Sequence, residues 1–483
     1  MAGCHSPQTI AAVPKKADTA DKHTRINPQL GRPDPKPVEI SDYVFLNRNA
    51  NHIELNGADW SGLIHKFENI GNHGGKNVSI VHIGDSHIQA DGNTGRVRSY
   101  LQKVYGNAGR GLMAPLRIAG TNQPLDYTLY TSGGASTSTL LKQPWKVNMG
   151  FTGVAVKPAA QHATFSLSDK SPFNILRIYA NGPVSVSKVT SGGEEIQHHS
   201  TSTEWGAQVN LAHRVESVNI TISGRNLIVY GFDARDTETP GVLYHAIGNN
   251  GATFSTYSKI GSEGEGIALL DPDLVILSLG SNEAFGNISD AEFYRQIDNL
   301  VKEIREHNPK AEILLTTPSE CQRSVYTTSR VRSKKKKRPR RVTSRSYQIN
   351  TNVERLRNVI LKYGKENNIP TYDFYSVAGG KGASAKWLQK GLLSTDRIHR
   401  TWNGYYLEGN LIYNALSHLL TGTNEEPVAA VTEAATAENV AAKQATPAAS
   451  KKKAATSKKK YNNKKYGKKK KYPRKKNKRK KRR

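Results

Sequence analysis

The stretch VHIGDSHIQAD, residues 81–91, joins two patterns that belong to different parts of a fold. Residues 78–84, VSIVHIG, are a short apolar run, which predicts a strand buried on both faces of a sheet. The run stops at Gly84, the polar residues Asp85 and Ser86 follow at once, and TGRVRSYLQKVYG then has a helical pattern. A buried strand that leads through a polar turn into a helix predicts an α/β fold.

The same alternation of strand and helix returns in the second half of the chain. Apolar runs at 274–280 (LVILSLG) and 311–318 (AEILLTTP), with a weaker one at 369–374 (IPTYDF), predict further buried strands. Between them, AEFYRQIDNLVKEIREHN and QINTNVERLRNVILKYGKENN place their apolar residues on one helical face. We therefore predict a three-layer α/β/α sandwich with a parallel, flavodoxin-like sheet.

Residues 127–236 have a different pattern. Short alternating segments such as ATFSLSD, NILRIYA, SVNITISG and NLIVYGFD are separated by the turn signals SGG, NGP and SGR. This pattern predicts an all-β sandwich domain, inserted between two parts of the α/β domain at 43–126 and 237–422. Residues 1–42 and 423–483 lack hydrophobic periodicity, which predicts a disordered tether and a disordered, lysine-rich tail.

The positive charge of the chain is concentrated in two segments. The formal net charge is +30 over 483 residues, with 21 Lys or Arg in 451–483 and 10 in 330–345, and no acidic residue in either segment. The rest of the chain holds 39 basic residues against 40 acidic ones, which excludes a uniformly basic nucleic-acid-binding fold. The two basic segments are instead expected to contact an anionic polymer or surface.

The chain has two cysteines, Cys4 and Cys321, which exclude a disulfide framework and a cysteine zinc site. No run of 18 apolar residues is present, so no membrane-spanning helix is predicted. The opening MAGCHSPQT resembles the end of a bacterial lipoprotein signal without its apolar region, with Cys4 as the lipidated residue. The alternative is a disordered N-terminus with an inert cysteine.

Several polar residues have the types and positions that acyl-transfer chemistry requires. Ser86 is either a helix N-cap or a nucleophile at the carboxyl end of a strand. A serine nucleophile needs a base, and the base needs a carboxylate, which Asp396 and His399 in STDRIHR provide three residues apart. Asn282, after the strand LVILSLG, and Gly251, in the turn GNNGATFS, are placed to donate hydrogen bonds to an oxyanion.

Four short blocks of the sequence contain these residues: GDS at 84–86, GNNGA at 248–252, GSNE at 280–283 and DRIH at 396–399. These four blocks, in this order, resemble the SGNH (GDSL-type) hydrolase family. In the glycine block, Gly248 is the alternative to Gly251, and we prefer Gly251 because the family's glycine sits late in its block. Glu283 stands where the family more often has Asp, which leaves the amide donor of the preceding Asn intact.

The family resemblance implies a role for each residue. Ser86 is the nucleophile, His399 the base and Asp396 the carboxylate that orients it. The oxyanion hole is formed by the backbone N–H of Ser86, the backbone N–H of Gly251 and the side-chain amide of Asn282. No metal or cofactor is implied.

The string GDSHIQADGNTGRVRSYLQ, with a β-domain inserted and GNNGATF directly after it, resembles a narrower group. These are bacterial envelope esterases that remove O-acetyl groups from peptidoglycan or other polysaccharides, and their insert looks like a carbohydrate-binding module. The resemblance implies a serine esterase of the cell envelope, periplasmic or anchored through Cys4, with an O-acetylated glycan as substrate. The basic segments would then contact an anionic cell-wall polymer or a membrane surface, with nucleic acid as the other partner.

Two alternatives to the esterase use the same residues differently. An O-acetyltransferase would form the same acyl-enzyme on Ser86 and pass the acetyl group to a sugar hydroxyl. A catalytically inert scaffold would bind an anionic polymer or nucleic acid through the basic segments and would not depend on Ser86.

Overall fold

The computed structural model describes residues 39–70, 76–331 and 340–422. Almost all of the tether predicted at 1–42, the whole tail predicted at 423–483, and the middle of the basic segment at 330–345 lie outside the described residues. Within the predicted tether, Ile40–Asp42 form a short 3-10 helix, and Ile40 is buried in the core.

The strands in chain order are β1 Ile53–Glu54, β2 Val78–Gly84, β3 Gly111–Met113, β4 Tyr127–Thr131, β5 Ala135–Thr139, β6 Val154–Pro158, β7 His162–Ala180, β8 Ser185–Ser191, β9 Glu194–Glu195, β10 His198–Thr203, β11 Gly206–Ser223, β12 Val229–Arg235, β13 Val242–Gly248, β14 Leu274–Ser278, β15 Glu312–Thr316, β16 Gln322–Val331, β17 Arg340–Ile349 and β18 Thr371–Tyr372.

The helices are α1 Ser61–Glu68, α2 Ser86–Gln89, α3 Gly92–Tyr105, α4 Phe254–Ser258, α5 Glu263–Ala268, α6 Asp290–His307, α7 Thr351–Glu366, α8 Phe374–Val377, α9 Ala383–Gln389 and α10 Trp402–Thr421. Two further 3-10 helices span Arg48–Ala50 and Glu283–Phe285.

Six strands form the central sheet in the order β13–β2–β14–β15–β18–β1. All neighbours are parallel except β1, which pairs antiparallel with β18 at one edge. Taking the five parallel strands in chain order, their spatial order is 2-1-3-4-5, the flavodoxin-like order. The predicted fold class is therefore confirmed, and the carboxyl ends of β2, β13 and β14 meet at one edge of the sheet.

Alternation along the strands gives the sheet two apolar faces. On β2, Ile80 packs in the cluster that contains α1, α3 and α10, whereas Val81 and Ile83 pack in the cluster that contains α4, α6 and α7. Because side chains in a strand point to opposite faces in turn, an apolar run such as VSIVHIG supplies both layers of helices at once.

The inserted region is all-β, and its ten strands belong to one hydrogen-bonded sheet, where the sequence predicted a sandwich. Its main path is β5–β6–β12–β7–β11–β8–β9, and β3, β4 and β10 pair along its sides. The long strands β7 and β11 pair over two stretches, with shifts of register between Asn210 and Ser217 that bend the sheet. Because β3 pairs with β12, this sheet also includes residues that precede the predicted boundary at 127.

The described parts of the basic segment at 330–345 lie in strands, whereas such a run of charges is more typical of a loop. β16 and β17 pair antiparallel from Gln322 with Ile349 to Val331 with Arg340, and together they form a separate two-stranded sheet. The run of charges favoured a loop, but it is flanked on both sides by alternating Ser, Thr, Val and Tyr residues, whose cross-strand pairing sustains a hairpin.

Candidate functional site

Ser86 lies where the central strand β2 passes into α2. Gly84 ends the strand, and a Cβ atom on it would lie 2.3 Å from Cγ1 of Ile88, so glycine allows the helix to start this close. Asp85 caps α2, because its Oδ1 accepts a hydrogen bond of 2.9 Å from the backbone N–H of His87. The capping role that the sequence left open for Ser86 thus belongs to Asp85, and the half-buried Ser86 hydroxyl remains for other contacts.

Ser86, His399 and Asp396 form a chain of two hydrogen bonds across 313 residues of sequence. Oγ of Ser86 lies 2.8 Å from Nε2 of His399. Nδ1 of His399 lies 2.8 Å from Oδ2 of Asp396. These are the distances over which a hydroxyl, an imidazole and a carboxylate exchange and stabilise a proton.

The carboxylate of Asp396 is held in place by its own turn. Its Oδ1 accepts hydrogen bonds from the backbone N–H of Ile398, at 2.9 Å, and of His399, at 3.0 Å. Partial burial raises the pKa of Asp396, but the hydrogen bonds from His399 and Ile398 outweigh burial and bring the pKa below its ordinary value. Asp396 is therefore ionised at neutral pH, as a partner for an imidazole requires.

Asn282 connects the serine turn to the glycine turn. Its Nδ2 donates to Oδ2 of Asp85 at 3.2 Å and to the backbone carbonyl of Ala252 at 2.9 Å. The two acceptors are the chain neighbours of Ser86 and Gly251, so the three donors expected around an oxyanion come from adjoining turns. Glu283 fixes the same arrangement from the other side, because its Oε1 accepts from the backbone N–H of Phe254 at 2.9 Å.

Gly248 and Gly251 need to be glycine for different reasons. A Cβ atom on Gly248 would lie 2.0 Å from the backbone nitrogen of Gln89, so this residue allows β13 and α2 to pack together. Gly251 has φ +81° and its nearest contact would be Leu141 at 3.5 Å, so its requirement is conformational. Among the described residues, the Gly251 N–H has no acceptor, which is consistent with a donor left for a ligand.

Arg400, which follows His399, is a buried residue that the sequence reasoning did not identify. It is 3% exposed, its Nη2 donates to Oγ of Ser319 at 2.6 Å, and it forms an ion pair with Glu408 at 2.7 Å. Its Nη1 lies 3.2 Å from Nδ1 of His87, and these groups surround a cavity of about 40 Å³ behind the serine turn. Only its position next to His399 could have drawn attention to it.

His87 is held neutral by this environment. Burial, followed by the charge of Arg400 and the proximity of His399, lowers the pKa of His87 well below its ordinary value. Because an arginine can only donate, Nδ1 of His87 acts as the acceptor in the contact with Arg400. The ring of His87 lies 5.4 Å from that of His399, so it is next to the predicted base without sharing its hydrogen bond to Ser86.

Two larger cavities lie next to the inserted sheet, and neither is lined by Ser86, Asp396 or His399. One, of about 270 Å³, is lined by residues 121–125, Tyr127 and Ala90 among others. The other, of about 570 Å³, lies along α3 and α10 and reaches Lys170 on β7. Leu125 and Trp402 line both, so the two cavities are neighbours.

Within residues 39–70, 76–331 and 340–422, no group of three or more His, Cys, Asp or Glu side chains is arranged to hold a metal ion. In the same part of the chain, no helix combines the length and the hydropathy needed to cross a bilayer.

Residues 198–407 match the model of the GDSL-like lipase/acylhydrolase family. The matched range contains Gly251, Asn282, Asp396 and His399, and it begins after Ser86, which is placed by the geometry alone. No curated protein sequence matches the chain significantly.

Two solved structures illustrate how far the likeness extends. A peptidoglycan O-acetylesterase is similar over 77% of this chain and 99% of its own, with 20% sequence identity and a TM-score of 0.59. A lipase/acylhydrolase from Enterococcus faecalis is similar over 38% of this chain and 80% of its own, with 22% identity and a TM-score of 0.26. The first likeness shows that the fold of this chain, over 77% of its length, is similar to the fold of a protein whose structure is known.

Proposed function

We propose that this chain, a carboxylic ester hydrolase whose residues 198–407 match the GDSL-like lipase/acylhydrolase family, removes O-acetyl groups from peptidoglycan or another cell-envelope polysaccharide. The observation that carries the proposal is the hydrogen-bonded series from Ser86 through His399 to Asp396 at the carboxyl edge of the central sheet. The likeness to a peptidoglycan O-acetylesterase over nearly the whole of that protein supports the choice of substrate.

The proposed reaction begins with attack of Ser86 Oγ on the ester carbonyl, while Nε2 of His399 takes the hydroxyl proton. Asp396 keeps the other ring nitrogen of His399 protonated and stabilises the imidazolium. When the tetrahedral intermediate collapses, His399 returns the proton to the departing sugar oxygen, and acetyl-Ser86 remains. Water, deprotonated by His399, then releases acetate and restores Ser86.

The charge on the tetrahedral intermediate would be stabilised by three N–H donors. These are the backbone N–H groups of Ser86 and Gly251 and the side-chain amide of Asn282. Both hydrogens of the Asn282 amide are engaged in the free protein, so we propose that the oxyanion replaces the longer of the two contacts, the one to Asp85 at 3.2 Å. The geometry favours this exchange because Asp85 directly precedes the nucleophile.

An esterase for cell-envelope glycans would act in the cell envelope, and we propose that location for this chain. Lipidation of Cys4 remains a prediction, because Cys4 lies outside the described residues. We propose that the two cavities lined by Leu125 and Trp402, which also reach Ala90 and Asp91 shortly after Ser86, hold further sugar units of the substrate.

The proposal is tested by acetate release from p-nitrophenyl acetate and from O-acetylated peptidoglycan. We expect wild-type turnover of both, and a loss of at least about a thousandfold in kcat/KM with Ser86→Ala. Ser187→Ala, which removes an exposed serine hydroxyl on β8, is the matched control and should retain full activity.

Equal background rates for wild type and Ser86→Ala on both substrates would contradict the proposal and favour the inert scaffold. A transferase would give a different result: the wild type would lose acetyl groups from the donor, but free acetate would fall as a glycan acceptor is added. An esterase releases acetate in proportion to ester consumed, with or without the acceptor.

A further inference from the structure

The hairpin of β16 and β17 stands apart from both larger sheets. Its two strands pair only with each other, and most of their described side chains are exposed. Residues 322–349 contain eleven Lys or Arg and no Asp or Glu. A two-stranded ribbon has no hydrophobic core of its own, so core packing does not account for its sequence. The concentration of positive charge on its surface therefore needs another explanation.

The two faces of the ribbon are chemically different. Residues directly opposite each other across a strand pair share a face, and successive residues alternate between faces. The register places Tyr326 opposite Arg345, and Arg330 opposite Arg341. One face, which we name the arginine–tyrosine face, therefore carries Tyr326, Arg330, Arg341, Arg345 and Tyr347.

The opposite face carries charge only at its two ends. Arg323 and Arg340 stand there, with Val, Thr, Ser and Gln at the register positions between them. The arginine–tyrosine face has three arginines and both tyrosines of the hairpin, so guanidinium groups and aromatic rings lie side by side only on that face.

The arginine–tyrosine face leads to the turn that holds the proposed base. The guanidinium of Arg397 lies 3.9 Å from the ring centre of Tyr347, and that of Arg345 lies 4.7 Å from the same ring. Arg397 also donates to Oε1 of Gln322 at 2.7 Å, and its carbonyl accepts from the backbone N–H of Gln322 at 3.0 Å. Since Arg397 follows Asp396 directly, the ribbon is joined to the Asp396–His399 turn.

The dimensions of the face fit an extended polymer. From Tyr347 to Arg341 the strand advances by six residues, which is about 20 Å at the usual rise of a strand. Over that length the residues Arg330, Arg341 and Arg345 are exposed, and Tyr326 is 64% exposed. Guanidinium groups bind carboxylates in bidentate fashion, and tyrosine rings cover the apolar faces of sugars.

We propose that the arginine–tyrosine face binds a carboxylate-bearing glycan strand and directs the acetylated unit of that strand to Ser86. This inference rests on the proposed function, because the ester must reach Ser86 as part of a polymer. The inference adds a property of the substrate that the catalytic residues do not specify. The glycan strand on either side of the ester should be negatively charged. Small or neutral esters would not use the face.

The test compares three full-length variants that each remove one exposed positive charge. Arg341→Gln and Arg345→Gln alter the arginine–tyrosine face, and Arg323→Gln alters the opposite face of the same ribbon. The substrates are soluble O-acetylated peptidoglycan strands, which bear carboxylates, acetylated glucomannan, which is neutral, and p-nitrophenyl acetate. Each variant is also made with Ser86→Ala, so that binding of the strands is measured without turnover.

On peptidoglycan strands we expect kcat/KM to fall by about fivefold to tenfold for Arg341→Gln and Arg345→Gln, through KM, and to stay within about twofold for Arg323→Gln. On glucomannan and on p-nitrophenyl acetate all three should match the wild type. In the Ser86→Ala background, affinity for the strands should weaken for the first two variants and not for the third.

Equal losses for all three variants would overturn the inference, because net charge and not the face would then be responsible. Tighter binding of single-stranded DNA than of peptidoglycan strands, lost in Arg345→Gln, would replace the glycan with nucleic acid and also overturn it. If the wild type did not hydrolyse p-nitrophenyl acetate, that result would count against the proposed function and not against this inference. The binding measurement would still decide the role of the face.

Discussion

Replacing one carboxylate oxygen of Asp396 by an amide nitrogen removes the negative charge and keeps the shape of the side chain. The variant therefore separates the effect of the charge from the effect of the turn. In Asp396→Asn, the amide oxygen can still accept from the backbone N–H groups of Ile398 and His399, so the turn should keep its shape. The amide nitrogen would then face Nδ1 of His399, favouring the tautomer that cannot accept the proton of Ser86. We expect kcat for p-nitrophenyl acetate to fall by about a thousandfold or more, with little change in thermal stability.

The control for this variant is Asp290→Asn, which removes an exposed carboxylate at the start of α6. It should leave kcat within about twofold of wild type. If Asp396→Asn retained more than a tenth of wild-type activity, the carboxylate would have no part in the proton transfer.

Glu283 makes stability depend on pH. Burial raises the pKa of Glu283 from 4.5 to about 7, and it outweighs the hydrogen bond from the backbone N–H of Phe254, which favours the ionised form. The folded state therefore holds this proton more tightly than the unfolded state, and stability falls as pH rises from 4.5 through 7. The loss across that window is about 3 kcal/mol for this group.

Glu283→Gln should remove this contribution, because glutamine keeps the acceptor for Phe254 and does not titrate. We expect the drop in unfolding free energy between pH 5 and pH 8, measured with urea, to be smaller in the variant by about 2 to 3 kcal/mol. Asp85 and Asp169, whose pKa values burial also raises to about 6, leave a residual drop in both proteins. An unchanged drop in Glu283→Gln would show that Glu283 is ionised without penalty.

At the scale of elements, the helices and strands that could be predicted from the sequence are those with a hydrophobic pattern within their own residues. The run VSIVHIG is β2, and the two amphipathic patterns are α6 and α7, nearly to the residue. β13 was not predicted, although VLYHAIG is an edge strand paired with β2 along its whole length. Its polar His245 and its short length give no period of their own, and the neighbouring strand supplies the pairing.

The candidate site divides in the same way. Ser86 and Asn282 were placed at strand ends because each follows a glycine that ends an apolar run. Arg400 was not predicted, because its partners His87 and Ser319 come from distant parts of the chain and only the fold brings them to it. A side chain whose function depends on long-range contacts leaves no local signal.

The packing of α2 against β13 predicts a steric effect at Gly248. In Gly248→Ala the new methyl group would meet Gln89 backbone at 2.0 Å, so α2 and the serine turn must move. We expect a loss of about 1 to 3 kcal/mol in unfolding free energy and at least a tenfold loss of kcat/KM. Gly261→Ala, at φ +72° with no atom within 4 Å, is the control and should cost about 1 kcal/mol without loss of activity.

The outcome distinguishes two explanations for this glycine. If Gly248→Ala were as active as Gly261→Ala, α2 would tolerate displacement, and the position of Ser86 would not depend on the contact with β13.

At the scale of the whole molecule, the central sheet and the inserted sheet are joined by buried charges. Asp91 directly precedes α3, Arg98 lies in the middle of that helix, Arg110 precedes β3, and Asp126 precedes β4. Arg110 pairs with Asp91 at 3.0 Å and with Asp126 at 3.1 Å, and Arg98 bonds to both carboxylates. The two positive and two negative charges balance only while all four stay together.

Removing one member should therefore destabilise both sheets. Asp91→Asn would leave two arginines, 5% and 2% exposed, with one carboxylate between them, and breaking a buried pair in this way costs about 3 to 5 kcal/mol. We expect that loss in urea unfolding followed by tryptophan fluorescence. Lys302→Gln, which breaks an ion pair whose lysine is 74% exposed, should cost less than about 1 kcal/mol. Equal costs would mean that water reaches the four-charge cluster and that the sheets are held together by apolar contacts alone.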